Sequence, residues 1–273
     1  KFGGSNSLVR AFAAKLGARV TMVTKLGRDV FGEDMLKNYR AHGVDTAFIR
    51  FDEAHSSGIA TIFVNDQAQN FIVIVPGANA TLTPDDVRAA AHAIREANAV
   101  VCQLETPLET TLEAFRIARA ANVCTILNPA PAAPLPDELL ALTDICVPNE
   151  IEIEMLTGVT VETLPDGERA ARTLLARGVR TIIVTLGERG ALVVTADTVE
   201  HIAPIVVNAV DPTGAGDAFI GSLAVFLGEG IALREAVRRA NAIAALSVTK
   251  IGTQTSFPTR SEADVFCRQQ GLF

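Results

Sequence analysis

Tryptophan is absent from this 273-residue chain and tyrosine occurs once. No run of lysine and arginine occurs, and the net charge is −7, which excludes a phosphate-backbone footprint but leaves room for a small phosphorylated ligand held by a few N–H groups. Four histidines are scattered without metal-ligand spacing. Cys102, Cys124, Cys146 and Cys267 are widely separated, the first three in apolar, strand-like runs. That pattern predicts buried thiols of a reducing compartment, not a disulfide frame or a zinc site. No apolar run approaches the length of a membrane span and no signal peptide opens the chain, so a cytoplasmic protein is the default expectation. Internal repeats, low-complexity tracts and linkers are also missing.

What is present is an ordinary globular composition, 49% hydrophobic and 20% charged. The length suits one α/β domain spanning 1–273. A helical pattern over Leu8, Val9, Phe12, Ala13 and Leu16 closes at Gly17, a strand covers Val20 to Thr24, and a helix runs from Phe31 to His42. Between Ala47 and Val75 the pattern changes: two apolar runs, 58–64 and 70–75, flank a polar turn, which predicts a β-hairpin inserted as a lid. From Pro84 onward helices and strands alternate. Helices are expected at 85–97, 108–121, near Leu139 and at 168–177, and strands at 99–104, 123–127, 145–147 and 181–185. That alternation implies a three-layer, doubly wound, mostly parallel sheet. Closely spaced strands at 191–195 and 200–207 predict an antiparallel edge, and helices near 219–227, 233–246 and 262–269 end the chain.

The chemistry concentrates in Val210-Asp211-Pro212-Thr213-Gly214-Ala215-Gly216-Asp217-Ala218-Phe219. Phe219, Ile220, Leu223, Phe226 and Leu227 fall at helical spacing, so the glycines sit where a helix begins. The first amides of a helix lack internal partners and lie at its positive end, which suits a phosphate oxygen. Asp217 adds a carboxylate to that anion hole, where it is useful only with work of its own, such as taking a proton from an attacking hydroxyl. A lone Gly-Ala-Gly-Asp is more often a helix start and its cap. Ligands of open α/β sheets collect beyond the carboxyl ends of the strands. The polar strand ends Gln103-Leu104-Glu105, Asn128-Pro129-Ala130-Pro131, Pro148-Asn149-Glu150-Ile151-Glu152 and Thr185-Leu186-Gly187-Glu188-Arg189-Gly190 therefore point to one composite site. A Rossmann dehydrogenase is excluded by position, because the glycine-rich turn comes late and no Gly-x-Gly-x-x-Gly follows an early strand.

The string Asp-Pro-Thr-Gly-Ala-Gly-Asp-Ala-Phe resembles the signature of the ribokinase-like (PfkB) family of sugar kinases. The resemblance extends from Phe2-Gly3-Gly4 to Gly252-Thr253-Gln254-Thr255-Ser256-Phe257-Pro258, through Val75-Pro76-Gly77-Ala78-Asn79 and the strand ends above. It implies ATP-dependent phosphorylation of a primary sugar hydroxyl, with D-ribose the expected acceptor. Deoxyribose, a ketohexose or a nucleoside are alternatives, and a non-catalytic sugar- or nucleotide-binding relative is the alternative of another class. By the same resemblance Asp217 is the catalytic base and Gly214, Ala215 and Gly216 hold the transferring phosphoryl group. Gly3, Gly4, Asn6 and Glu105 meet the sugar, Asn149 and Glu152 organise Mg²⁺ and phosphate, and Thr185, Gly187, Gly190 and Asn241 border the nucleotide. A K⁺ site is implied near Asp211, Thr213, Ser247, Lys250, Gly252 and Ser256. A homodimer through the lid is a family-level expectation. Two departures stand out. No counterpart of the family's amino-terminal strand is present, which suggests a chain incomplete at its start, and Leu8 occupies the family's sugar-binding asparagine position.

Overall fold

The structure, a computed structural model, describes the backbone of residues 5–64 and 70–272, and side chains within that range outside 5–7 and 61–73. Gly3 and Gly4 lie outside the described residues, as does the side chain of Asn6. In chain order the elements are α1 (Ser5–Lys15), β1 (Thr21–Gly27), α2 (Val30–Ala41), β2 (Asp45–Asp52), β3 (Ile59–Val64), β4 (Asn70–Val75), α3 (Pro84–Ala89), α4 (Ala91–Glu96), β5 (Ala99–Cys102), α5 (Leu108–Ala120), β6 (Cys124–Leu127), α6 (Asp137–Ala141), β7 (Ile145–Cys146), α7 (Glu150–Thr157), α8 (Leu164–Ala176), β8 (Thr181–Thr185), β9 (Ala191–Thr195), β10 (Val199–Ile202), α9 (Ala215–Gly228), α10 (Leu233–Ser247) and α11 (Arg260–Gln269).

Six strands form one sheet in the order β10-β9-β8-β7-β6-β5. β5 to β8 run parallel, and β9 and β10 complete the expected antiparallel edge. Successive side chains of a strand face opposite sides. On β8, accordingly, Ile183 enters the core shared with α1, α9, α10 and α11, while Ile182 and Val184 enter the core under α3 to α8. Both faces of the sheet are covered, as a parallel sheet requires. A second, two-stranded parallel sheet pairs β1 with β2, over a small core of Met22, Leu26, Met35, Tyr39, Val44 and Ile49.

The hairpin is β3 paired antiparallel with β4. It is shorter than the expected 47–75 insertion, because residues 45–52 belong to β2. The stems meet at a crowded base. A Cβ on Gly58 would lie 2.6 Å from the carbonyl oxygen of Pro76 and 2.7 Å from Nδ2 of Asn79. Gly77, with φ of 52°, sits against the backbone of Ser56 and Ser57, where no side chain fits. Asp29 fixes the same hinge. Its carboxylate caps α2 by accepting from the Gly32 amide at 2.8 Å and holds Ser57 through that residue's amide and hydroxyl, each at 2.7 Å.

Other differences from expectation have local causes. The strand expected through Val207 stops at Ile202, because Pro204 has no N–H to offer a ladder; Val206 and Val210 are exposed. The helix expected over 85–97 is two helices broken at Ala90. α8 begins at Leu164, four residues before the expected start, set by a capping box of Thr163 and Asp166. Among the cysteines, Cys146 and Cys267 are buried while Cys102 and Cys124 are half-buried; all four are free thiols. No helix among the described residues is long and apolar enough to cross a membrane.

Candidate active site

The carboxyl ends of β5, β6, β7 and β8 converge on the amino terminus of α9. Gly214 caps that helix in the left-handed region, with φ of 87°, and lies against the Phe257 ring and Thr253. A side chain there would be strained by the backbone and crowded by the ring. The Ala215 amide donates to the carbonyl of Pro212 at 3.2 Å, so it is engaged within the turn. Within the turn 213–217, the amides without a protein acceptor are those of Gly214, Gly216 and Asp217, and Gly216 has open space where a Cβ would stand. Free donors at a helix start, with room beside them, make an anion site.

Asp217 is partly covered and stands among other polar side chains of the strand ends. Loss of hydration pushes its carboxyl up to about 8; the negative charge of Glu105 adds to the rise, a hydrogen bond from Gln103 opposes it, and Glu152 contributes a little more upward. A carboxyl held near neutrality is suited to exchanging a proton with a substrate hydroxyl. Glu105 also lines two adjoining cavities, one beside the hairpin with Ile59, Ile74 and Val75, the other between β1 and β5 with Thr24 and Gln103; Gly58 and Asn79 border both. Glu105, where the resemblance expects a sugar contact, thus adjoins the hairpin, and its charge also reaches Asp217.

Asn149 and Glu152 form a reciprocal cap of α7. The Asn149 amide donates to Glu152 Oε2 at 2.9 Å and the Glu152 amide donates to Asn149 Oδ1 at 2.8 Å. The cap alone accounts for this pair as a helix start. It also leaves Glu152 Oε1 uncommitted, and burial raises the pKa of that carboxyl. Asn149 bridges to Thr185 at the end of β8, and the Thr185 amide donates to the Pro148 carbonyl at 2.9 Å, which joins two of the predicted site segments. Beyond β8, Gly190 adopts a φ of 86° against the backbone of Ile202 to Pro204, and Asn241 on α10 donates to the Ala203 carbonyl at 2.9 Å. Thr185, Gly187, Gly190 and Asn241 therefore border one loop region.

The loops around Asp211 are tied together by its carboxylate. Oδ1 accepts from the Thr213 amide at 3.0 Å and Oδ2 from the Gly252 amide at 2.9 Å. The amides of Val210 and Asp211 donate to the Val248 carbonyl at 2.7 and 3.1 Å. Ser247 and Ser256 turn their hydroxyls onto carbonyls of their own turns, Ala244 and Thr253, at 2.8 Å each. Lys250 pairs outward with Glu262. Asp211, Thr213 and Gly252 are thus adjacent, while the side chains of Ser247, Lys250 and Ser256 are committed elsewhere and leave only backbone carbonyls for a cation.

Gln103 and Asn128 fall in the strand ends that the sequence pointed to, without an individual role assigned to either. Both are buried, and Gln103 Nε2 donates to Asn128 Oδ1 at 3.0 Å. The signal for both was their place at strand ends, which does not separate a site residue from an ordinary loop residue.

Known proteins resemble this chain in sequence and in fold. The sequence profile of the pfkB family carbohydrate kinases matches residues 1–260. The chain is 41% identical to the deoxyribokinase of Salmonella typhi over 258 residues, covering 94% of this chain and 84% of that protein. It is likewise 41% identical to the ribokinase of Mus musculus over 266 residues, covering 96% and 82%. The structure of Arabidopsis thaliana ribokinase complexed with ribose and ATP superposes with a TM-score of 0.90 at 30% identity, covering 97% of this chain and 86% of that one. Fold, late glycine turn and whole-length similarity agree, and the chain belongs to the pfkB family of carbohydrate kinases, as a ribokinase-like, ATP-dependent sugar kinase.

Proposed function

We propose that this kinase transfers the γ-phosphoryl group of ATP to the primary hydroxyl of D-ribose, with Asp217 as the base. The observation that carries the reading is a raised carboxyl beside unpartnered amides at the start of α9. The hydroxyl oxygen forms the new P–O bond as the bond from phosphorus to the bridging oxygen of ADP breaks; the electron pair leaves with ADP and the proton passes to Asp217. The amides of Gly214 and Gly216 hold the oxygens of the group in flight. Glu105 sits where it can hold the sugar under the lid, and closure of β3–β4 excludes water as a competing acceptor. Gly3, Gly4 and Asn6 remain part of the sugar contact in this reading.

Mg²⁺ fits beside Asn149 and Glu152. The uncommitted Glu152 oxygen supplies one hard ligand, and Mg²⁺ takes most of its remaining shell from water and phosphate. When bound it neutralises the ATP phosphates. The nucleotide itself is placed at Thr185, Gly187, Gly190 and Asn241. K⁺ fits beside Asp211, Thr213 and Gly252, with backbone carbonyls near Ser247, Lys250 and Ser256 as further ligands; its charge would strengthen the adjacent anion hole. Cytoplasmic residence agrees with four free thiols. A homodimer through the lid is supported by the exposed Ile59, Ile74 and Val75 on the hairpin.

Equal identity to a deoxyribokinase and a ribokinase favours a second acceptor, 2-deoxy-D-ribose. The test is ADP formation with MgATP and each of D-ribose, 2-deoxy-D-ribose, a ketohexose and a nucleoside, with the phosphorylated position read by ³¹P NMR. The reading predicts the largest kcat/KM for D-ribose and a 5-phosphate product. A larger value for any other acceptor overturns the choice of ribose.

A further inference from the structure

Between α10 and α11, residues 248–259 contain no helix or strand, yet this loop backs the anion turn. Its Phe257 ring and the Thr253 methyl group would meet a Cβ on Gly214 at 3.3 and 3.5 Å, and its Gly252 amide donates to Asp211 Oδ2 at 2.9 Å. A loop without regular structure keeps such contacts only if something outside it holds it in place. Two helices do so. Lys15, at the end of α1, donates from Nζ to the carbonyls of Gln254 at 2.7 Å and Phe257 at 3.1 Å, 239 and 242 positions further along the chain. Phe12, on the same helix, meets the Phe257 ring edge-on with centroids 4.9 Å apart, and Asn38 Nδ2 on α2 donates to Gln254 Oε1 at 3.3 Å. The Lys15 ammonium is half-buried, and burial lowers its pKa. A lysine that only decorated the surface would keep its charge hydrated; this one gives hydrogens to two carbonyls instead.

We infer that Lys15 is a positioning residue for phosphoryl transfer: by gathering the Gln254 and Phe257 carbonyls it holds the 252–257 loop against Gly214, and so fixes the Gly214 and Gly216 amides where the group in flight needs them. The inference rests on the reading of that turn as the phosphoryl site. Stabilisation of developing charge depends on donors already in place, because amides that must first be ordered lose part of their advantage. Gly214 is exposed to such loss. A left-handed glycine has no side chain of its own to pack, so its fixed position comes from the Phe257 ring laid against it. Phe257 is buried in turn, held through its ring by Phe12 and through its carbonyl by Lys15. Among the described residues, the hydrogen bonds of the Lys15 ammonium run to this loop and to none of the residues placed on the nucleotide or the sugar. Its loss therefore bears on the transition state and not on ground-state binding.

The experiment compares the native chain with Lys15→Met and Lys15→Gln. It records unfolding midpoints, kcat and KM from ADP formation, and the affinity for MgADP by calorimetry with and without aluminium fluoride, whose complex with MgADP mimics the group in flight. The sugar is D-ribose or 2-deoxy-D-ribose, whichever the native chain turns over faster. Lys15→Met removes the donors at similar volume; Lys15→Gln is shorter and neutral, and carries the test if Lys15→Met does not fold. Both are expected to bind MgADP within about threefold of native and to lose at least about tenfold of the tightening that fluoride gives. A similar fall in kcat is expected, with KM for sugar and for ATP within about threefold of native. A folded variant with native kcat and native fluoride tightening, or one whose MgADP affinity and KM values move as much as kcat, overturns the role of Lys15 and leaves the anion turn standing. A native chain whose MgADP binding fluoride does not tighten overturns the turn as the phosphoryl site, and the role of Lys15 with it.

Discussion

Asp217 is unusual among the acidic side chains because its environment favours the neutral form. The usual paired carboxylate has a depressed pKa and stabilises the fold as pH rises; Asp217, raised to about 8, does the reverse. Below about pH 4 the group is protonated in both folded and unfolded chains and contributes nothing. Between about 4 and 8 the folded chain holds a proton that the unfolded chain has lost, so stability falls as pH rises across that window. Asp217→Asn, neutral at every pH, escapes this loss. In the absence of ligands its unfolding midpoint should exceed the native one by about 2 to 4 °C at pH 8 and match it at pH 4. Equal midpoints at pH 8 would show that the carboxyl is not raised in the empty site. The Asp217 position was legible in sequence because a long string of small and acidic residues surrounds it. Gln103 and Asn128 were legible only as members of polar strand ends, because the hydrogen bonds that join them to each other and to the Val147 carbonyl cross between strands.

The lid hairpin and its hinge show what a pattern of residues can and cannot place. β3 and β4 were legible as two apolar runs around a polar turn. β2 was hidden, since residues 45–52 alternate weakly and their partner, β1, lies over twenty residues upstream in a parallel register. α7 was not expected as a helix, although Asn149 and Glu152 have the spacing of the capping box that starts it; the resemblance instead drew attention to the pair as a magnesium element. At the hinge, Asp29→Ala removes the cap of α2 and both bonds to Ser57 together. Loss of the cap costs about 1 kcal/mol. The hinge effect should raise KM for the sugar severalfold while leaving KM for ATP unchanged, because Asp29 supports the lid and touches no nucleotide segment. Equal changes in both would contradict a lid confined to the sugar side. A second element-level contact joins α1 to α9, where a Cβ on Gly221 would approach Phe12 Cδ1 and the Val9 carbonyl to 2.9 Å each. Gly221→Val forces those helices apart, and overpacking of this kind costs about 1–3 kcal/mol. A midpoint lowered by several degrees is expected by thermal unfolding; an unchanged midpoint would mean the helices separate freely.

For the molecule as a whole, the sheet gathers residues far apart in sequence into one place. Gln103, Asn128, Asn149 and Thr185 end four neighbouring parallel strands, and Asp217 begins the helix that faces them. That gathering was predictable from alternating helices and strands, since the carboxyl ends of a parallel sheet all lie on one edge. The order of strands and the separate β1–β2 sheet were not, because pairing across long connections leaves little mark on local sequence. The central claim is that Asp217 performs proton abstraction at a site otherwise built for binding. The most direct measurement is turnover of MgATP with D-ribose by the native chain and by Asp217→Asn, with ATP affinity measured on both by calorimetry. A fall in kcat of at least about 10²-fold, with ATP affinity within about threefold of native, is predicted. Turnover retained in Asp217→Asn would contradict the account and move the proton acceptor elsewhere in the site.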